Sequence, residues 1–479
     1  MHESHQAFFI GNDWVRPSSP SCFEVYGASS GEVIASVPEA KEADVDRAVA
    51  AARAAFDAGD WAQATPVERA DVMMRFLGAL AARGDDLARA VSAQNGMPIA
   101  TSTMLEGQFP LGVLDYYAGL APTLSGDDVR PSQMGRETIV GRRAVGVVAA
   151  IVPWNFPVTL AVSKIAPAML AGCTVVIKPS PGTVLDSYIL AEAALEAGVP
   201  PGVLNWVPAD REVGAYLVSH PGVDKVAFTG STAAGRAVAA ACGQLLRPVT
   251  LELGGKSAAI LLDDADLGAF LQAAPTVSML NNGQTCFNCT RVLAPATRYG
   301  EVVDGLAGLL SSLKVGDALD PETHIGPMAS ATHRERVESY IAKGRSEARL
   351  VTGGGRPRGL NAGWFVEPTL FADVDNSATI AREEIFGPVL SVIAYQDDAD
   401  AIRLANQSDF GLGGAVFSTS TERATNVARA VRSGTVGVNG YMPSLGAPFG
   451  GVKASGLGRE FGPETVAAYQ EVKSIYVMA

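Results

Sequence analysis

Histidine, cysteine, basic charge and long apolar runs are all scarce in this chain, and each shortage removes a class of protein. Only 37 Lys and Arg stand against 50 Asp and Glu, a formal net charge of −13. With no long basic run, nucleic acid and anionic membranes are not expected partners. The longest apolar runs, such as residues 144–152, fall well short of the ~20 residues a spanning helix needs. The opening stretch MHESHQAFFIGNDW has no basic segment followed by a long apolar one, so no secretory leader is expected. Five cysteines make an odd number, and Cys22, Cys173 and Cys242 are scattered singly. That usage fits a reduced, cytoplasmic protein better than a disulfide scaffold. Neither an internal repeat nor a low-complexity linker interrupts the sequence.

What remains is bulk and texture. The 479 residues are 48% hydrophobic, too many for one ordinary domain, so two or three are expected. An Ala-rich region over 41–120 carries apolar residues at helical intervals. From 145 onward, short apolar runs recur about every 25 residues with helical segments between them. They include TVVIK (174–178), KVAFT (225–229) and VTLEL (249–253). A second set follows with GPVLSVIAY (387–395), GGAVFS (413–418) and GTVGVNG (434–440). Such alternation predicts an α/β protein with parallel sheets, two doubly wound Rossmann-like domains behind an N-terminal helical layer. The final strand-like segment, YQEVKSIYV (469–477), has no local partner in this reading and is expected to complete a neighbouring subunit's sheet.

Two features carry chemistry. FTGSTAAGR (228–236) reads as strand, glycine turn and helix, with Gly230 and Gly235 five apart. Such a turn can bring backbone to a phosphate, although Thr232 occupies the middle glycine position and an ordinary strand-to-helix turn reads the same way. Polar residues also stand at four strand ends, where α/β sheets hold ligands: Asn155, Lys178, Ser231 and Glu252. The stretch NNGQTCFNCTR (281–291) places Cys286 and Cys289 in C-x-x-C spacing. A redox dithiol, half a metal site, and one nucleophile with a bystander are the three readings. No nearby histidine pair completes a tetrahedral site, so no metal is expected.

PWNFP (153–157), FTGS (228–231), LELGGK (251–256), GQTC (283–286), EEIFGP (383–388) and PFGG (448–451) resemble, in order and spacing, the signature set of the aldehyde dehydrogenase superfamily. The similarity covers essentially the whole chain. It implies a nucleotide-binding domain from 1–124 and 145–253, a catalytic domain over 254–455, and a small β oligomerisation element from 125–144 and 456–479. A homodimer or homotetramer is expected.

The resemblance also assigns roles. Cys286 matches the nucleophile, whose thiolate attacks an aldehyde carbon; loss of hydride then leaves a thioester. Asn155 matches the oxyanion donor, acting with the Cys286 backbone N–H. Glu252 matches the base that activates water against the thioester. Relatives that pass the acyl group to coenzyme A generally lack this glutamate, so release of the free acid is implied. Glu460, in GRE (458–460), falls where the family often has a second carboxylate in a proton relay; a solvated carboxylate is the alternative. Cys289 becomes a packed bystander, or a partner that caps an oxidised Cys286 as a reversible disulfide.

For the coenzyme, the resemblance points to NAD. Lys178 and Glu384 match holders of the two riboses, Phe386 packs near the nicotinamide, and Trp154 and Ser231 border the pyrophosphate. Ile151, Pro153, Ser180, Gly230, Leu253 and Gly254 complete that expected set. One departure matters. NAD-preferring members carry Glu three residues after the lysine, whereas here Pro181 stands there. The electrostatic bar to a 2′-phosphate is missing, so NADP is open as well, with Arg211 placed to approach it.

By position in the family, Phe109, Phe156, Thr159, Ser163 and Leu280 line the substrate tunnel, with Thr285, Phe287, Tyr441 and Phe449. This set holds no cation to pair a substrate carboxylate. A medium or bulky apolar aldehyde is therefore expected over a semialdehyde acid, with Ser163 widening the mouth.

Overall fold

The computed structural model describes residues 3–4, 6–124 and 126–478. Two large sheets organise it. Five strands of the first are parallel: Val147–Ile151, Thr174–Lys178, Leu204–Trp206, Lys225–Thr229 and Val249–Glu252. Val147–Ile151 and Thr174–Lys178 are buried along their whole length, because helices cover both faces of the sheet. From Val147–Ile151 the chain builds outward to Leu204–Trp206, then returns and builds the other way from Lys225–Thr229. The crevice between Val147–Ile151 and Lys225–Thr229 is therefore the topological switch point, where ligands of open α/β sheets bind.

The helix after the first strand, Pro157–Ala171, is apolar nearly all round and buried everywhere except Leu160. Proline at its first position tolerates the missing N–H there, and Gly172 in the left-handed region ends it. It is clamped between the sheet and a helical layer that includes Pro66–Ala81 and Phe109–Gly119. Thr65 and Glu68 cap Pro66–Ala81 reciprocally.

The second sheet has seven strands with Arg291–Pro295 at its centre, and Ala258–Leu261 lies in parallel between it and Gly414–Phe417. Arg291 is fully buried. Its guanidinium donates to the carbonyls of Lys256, Leu404 and Ala405 and to the Asn376 side chain, all at 3.0 Å. Two of those acceptors lie at the end of the Asp398–Asn406 helix, where carbonyls lack intrahelical partners.

Three expectations change. The C-terminal strand, Gln470–Val477, does have a partner in its own chain: it pairs antiparallel with Glu137–Ala144 through all eight residues. Residues far apart in sequence meet there, which a linear reading of local neighbours misses. The 456–479 segment is also divided, because Gly456–Leu457 pairs antiparallel with Val249–Glu252 as an edge strand of the first sheet. At the other end, Phe8–Ile10 and Asp13–Val15 extend the first sheet as antiparallel strands ahead of the helical layer. No helix among the described residues is long and apolar enough to cross a membrane.

Arg291 yields the first prediction. Arg291→Met strips three buried carbonyls and the half-buried Asn376 side chain of their donor, a loss on the order of 3 kcal/mol or more. The apparent melting temperature is expected to fall by several degrees; an unchanged melting curve would refute this account of Arg291.

Candidate active site

The switch point sets the site. The turn after Val147–Ile151 carries Pro153, Trp154 and Asn155, and Gly230 and Ser231 follow Lys225–Thr229. Glu252 ends the neighbouring strand. Opposite them lies the loop that carries Cys286 into Arg291–Pro295 of the second sheet. Its backbone is unusual: Asn281, Asn282 and Gly283 all have positive φ, at 53°, 59° and 81°. A Cβ on Gly283 would fall 2.1 Å from the Gly387 carbonyl oxygen, so only glycine fits. The asparagines satisfy the loop. Asn282 donates to the Gly96 and Pro327 carbonyls and accepts from Gly326 N–H at 2.7 Å. Gln284 accepts from Ala329 N–H at 2.9 Å.

These elements enclose a cavity of about 300 Å³. Asn155, Glu252, Cys286 and Glu460 all line it. The Asn155 amide donates one hydrogen to the Gln284 carbonyl at 3.0 Å, which leaves its second N–H for a ligand near the thiol. Burial pushes the Cys286 thiol up, and the carboxylates of Glu384 and Glu252 add to the effect. The resting form is therefore a thiol. Burial also raises Glu252 well above the usual carboxylate range, Glu460 raises it further, and Lys164 opposes both. Neither carboxyl oxygen of Glu252 has a hydrogen-bond partner. Lys164 forms a buried ion pair with Glu460 at 2.6 Å and donates to the Thr229 hydroxyl at 2.6 Å.

On the other side of Cys286 the crevice fits a dinucleotide. The Lys178 ammonium is buried with the Pro179 carbonyl as its one hydrogen-bond acceptor at 2.8 Å, leaving two donors free; burial lowers it to about 8. Gly254 makes room for the Glu384 carboxylate, whose Oε2 would lie 2.2 Å from a Cβ. Glu384 accepts from Gly255 N–H at 3.1 Å and is raised to about 7 by burial. Ser231 caps the Thr232–Gln244 helix, whose N-terminus favours anions. Phe386, itself at φ 63°, packs edge-on to Trp154 with ring centroids 5.3 Å apart.

Most of the expected lining is present. Phe109, Phe156, Thr159, Leu280, Phe287 and Phe449 face the cavity, as do Pro153, Trp154, Gly230, Ser231, Leu253, Gly254, Glu384 and Phe386. Ile151, Lys178, Ser180 and Pro181 lie outside its lining; Lys178 ends the second parallel strand and Ile151 the first. Three tunnel expectations are corrected. Ser163 does not widen any mouth: it is fully buried and donates to the Thr159 carbonyl one turn back in its own helix. Thr285 turns its hydroxyl to the Leu280 carbonyl at 2.8 Å. Tyr441 stands behind Phe287, ring centroids 5.2 Å apart, with its hydroxyl bonded to Thr435. Cys289 is packed in an apolar cluster and burial pushes it up to about 12.

Sequence reasoning missed Lys164, hidden in an apolar helix, and His333 and Arg336, which line the coenzyme side. Burial lowers His333 to about 4, so it is neutral and donates from Nε2 to the Phe386 carbonyl at 2.7 Å. Phe461 was missed too. It links Phe109 to Phe449 by ring contacts at 6.0 and 6.2 Å, and Phe449 meets Phe287 at 6.0 Å.

A thiol, an amide with a free N–H and an unpartnered buried carboxyl thus converge beside a dinucleotide crevice, the equipment of an oxidoreductase that works through a cysteine. The profile of the aldehyde dehydrogenase family matches residues 14–475, and the chain belongs to that family. It is 59% identical over 478 residues to a geranial dehydrogenase of Castellaniella defragrans, covering 100% of both chains. An aldehyde dehydrogenase of Mycobacterium tuberculosis solved with NAD+ superposes with a TM-score of 0.97 at 46% identity, covering 100% of this chain and 99% of that one. A variant of aldehyde dehydrogenase C from Pseudomonas syringae, solved with NAD+ and octanal, gives 0.96 at 39% identity over 99% and 97% of the two chains.

The Glu252 environment makes a signed prediction. The Glu460 charge disfavours ionised Glu252 and the Lys164 charge favours it. Glu460→Gln should therefore lower the Glu252 titration midpoint, and Lys164→Met should raise it. Infrared spectroscopy of the carboxyl band would read both shifts; movement in the same direction would contradict this electrostatic picture.

Proposed function

We propose that the protein oxidises a medium or bulky hydrophobic aldehyde, terpenoid or aromatic, to the free carboxylic acid. The observation that carries this reading is the substrate end of the cavity. Leu105, Phe109, Phe156, Leu160, Phe449 and Phe461 line it without a cation, and Arg336 stands at the coenzyme end. Similarity to a geranial dehydrogenase, and to an aldehyde dehydrogenase solved with octanal, points the same way.

Cys286 is the nucleophile in this reading. Its thiol is held up by burial, so a proton must leave as sulfur bonds carbon, and Glu252 is the nearby acceptor. The Asn155 N–H left free by Gln284, together with the Cys286 backbone N–H, receives the oxyanion; removing such a donor costs roughly 2.7–4 kcal/mol of barrier. The bound dinucleotide supplies the hydride acceptor. Once Glu252 has passed the thiol proton on to solvent, it deprotonates the water that cleaves the Cys286 thioester, and the Lys164–Glu460 pair adjusts its basicity. NAD is the coenzyme, in line with the NAD+-bound relatives, and Pro181 leaves NADP admissible. Five unpaired cysteines suit a cytoplasmic setting. The three-stranded arm of Asp128–Pro131, Glu137–Ala144 and Gln470–Val477 exposes Val472, Ile475 and Tyr476, which suits assembly as a homodimer or homotetramer.

The test follows NADH formation. Octanal or geranial should give a kcat/KM at least about tenfold above that of succinic semialdehyde, a ratio within reach of apolar-pocket discrimination. Equal values would defeat the substrate assignment. Cys286→Ala should abolish turnover, whereas Glu252→Gln should slow the acyl-release step more than hydride transfer. A second measurement concerns the coenzyme. Pro181→Glu should lower kcat/KM for NADP relative to NAD by about tenfold through charge repulsion; an unchanged ratio would remove Pro181 from the argument.

A further inference from the structure

The tunnel has two walls that come from separate chain segments. Leu105 and Phe109 stand on one, where the π-helical turn Thr103–Gln108 runs into the Phe109–Gly119 helix. Phe156, Thr159 and Leu160 stand on the other, at the start of Pro157–Ala171. Glu106 lies between the walls, fully buried, and accepts from Val158 N–H at 2.8 Å. Its second oxygen has no hydrogen-bond partner among the described residues. The Thr159 hydroxyl makes another tie, donating to the Leu105 carbonyl.

The placement is costly, since a buried carboxyl loses its hydration. Nothing in the Cys286 chemistry uses it. What it does supply is an acceptor for an amide that the helix start leaves without an intrahelical partner, because Phe156 at the N-cap has no side-chain cap to offer. The π turn leaves Leu105 and Phe109 facing the cavity while Glu106 reaches the opposite wall. Such turns concentrate at functional sites. Behind it the turn cannot retreat: a Cβ on Gly107 would already sit 2.8 Å from the Gly84 carbonyl oxygen.

We propose that Glu106 is a positioning residue for substrate selectivity: by bridging the two walls it fixes the tunnel width offered to the aldehyde's tail without touching the substrate. The inference rests on the reading above that this tunnel receives the tail. A short aldehyde reaches Cys286 without needing either wall, so the spacing matters to long substrates alone.

The experiment compares kcat/KM for octanal and propanal, with NAD, in wild type, Glu106→Leu and Glu106→Gln. Leucine removes the acceptor at similar volume. It should lower the octanal-to-propanal ratio by about tenfold while propanal changes by less than about threefold. Glutamine keeps a carbonyl toward Val158 and should preserve the ratio. An equal loss for both aldehydes, an unchanged ratio in the leucine variant, or a glutamine variant as impaired as leucine would each overturn the proposal. Should the leucine variant not fold, Glu106→Met decides, because it too removes the acceptor toward Val158: a lowered ratio supports the bridge and an unchanged one overturns it. The wild type's own ratio tests the substrate class proposed above, and the change on substitution tests Glu106, so the two failures are separable.

Discussion

One hydrogen bond joins the two halves of the chemistry. The Asn155 amide, carried by the first sheet, donates to the Gln284 carbonyl on the loop that leads into the second sheet. Chemistry between groups on different chain segments depends on their relative placement to within about an ångström. The bond sets that placement, and its neighbours stiffen it: the Asn155 backbone carbonyl accepts from Asn281 at 2.9 Å and from Asn95 at 3.2 Å. The left-handed residues of the Cys286 loop are then the strain that this geometry demands, and the surrounding carbonyls and amides over-determine it.

Around that junction the protein accepts an electrostatic cost. Glu252, Glu460 and Lys164 are all buried, and a buried ion pair rarely repays its desolvation in stability. What the arrangement supplies is a carboxyl at Glu252 whose proton affinity is set by burial and by two opposed charges. The apolar layer that pushes Glu252 and Cys286 upward is the same layer that shapes the tunnel. Substrate fit and proton affinity therefore share one cause.

Much of this was legible in the sequence, and for definite reasons. Strands covered on both faces read as unbroken apolar runs, so TVVIK and KVAFT were found to the residue. Ligand-facing residues of such sheets stand at strand ends, which exposed Asn155 and Glu252 before any fold was known. The failures have an equally physical origin. Ser163, Thr285 and Tyr441 sit where the cavity ought to be, but each hydroxyl finds a nearer acceptor or partner, and sequence position does not say which way a side chain turns. Lys164 and Glu106 were invisible because a lone charge in an apolar or mixed stretch reads as solvent-facing until its partner is known. The pairing of Gln470–Val477 with Glu137–Ala144 spans most of the chain, beyond the reach of local periodicity.

Glu460 and Phe461 are consecutive, one paired with Lys164 and the other joined to the aromatic wall through Phe109 and Phe449. Phe461 holds φ at 58°, so the backbone itself sets how the two side chains diverge. An insertion or deletion in this segment would displace the ion pair and the wall together, with no way to separate the damage. Point replacements at Phe109, Leu160 or Phe449 would reshape the tunnel and leave the Lys164–Glu460 pair in place, whereas a change in the length of the 456–461 segment would not.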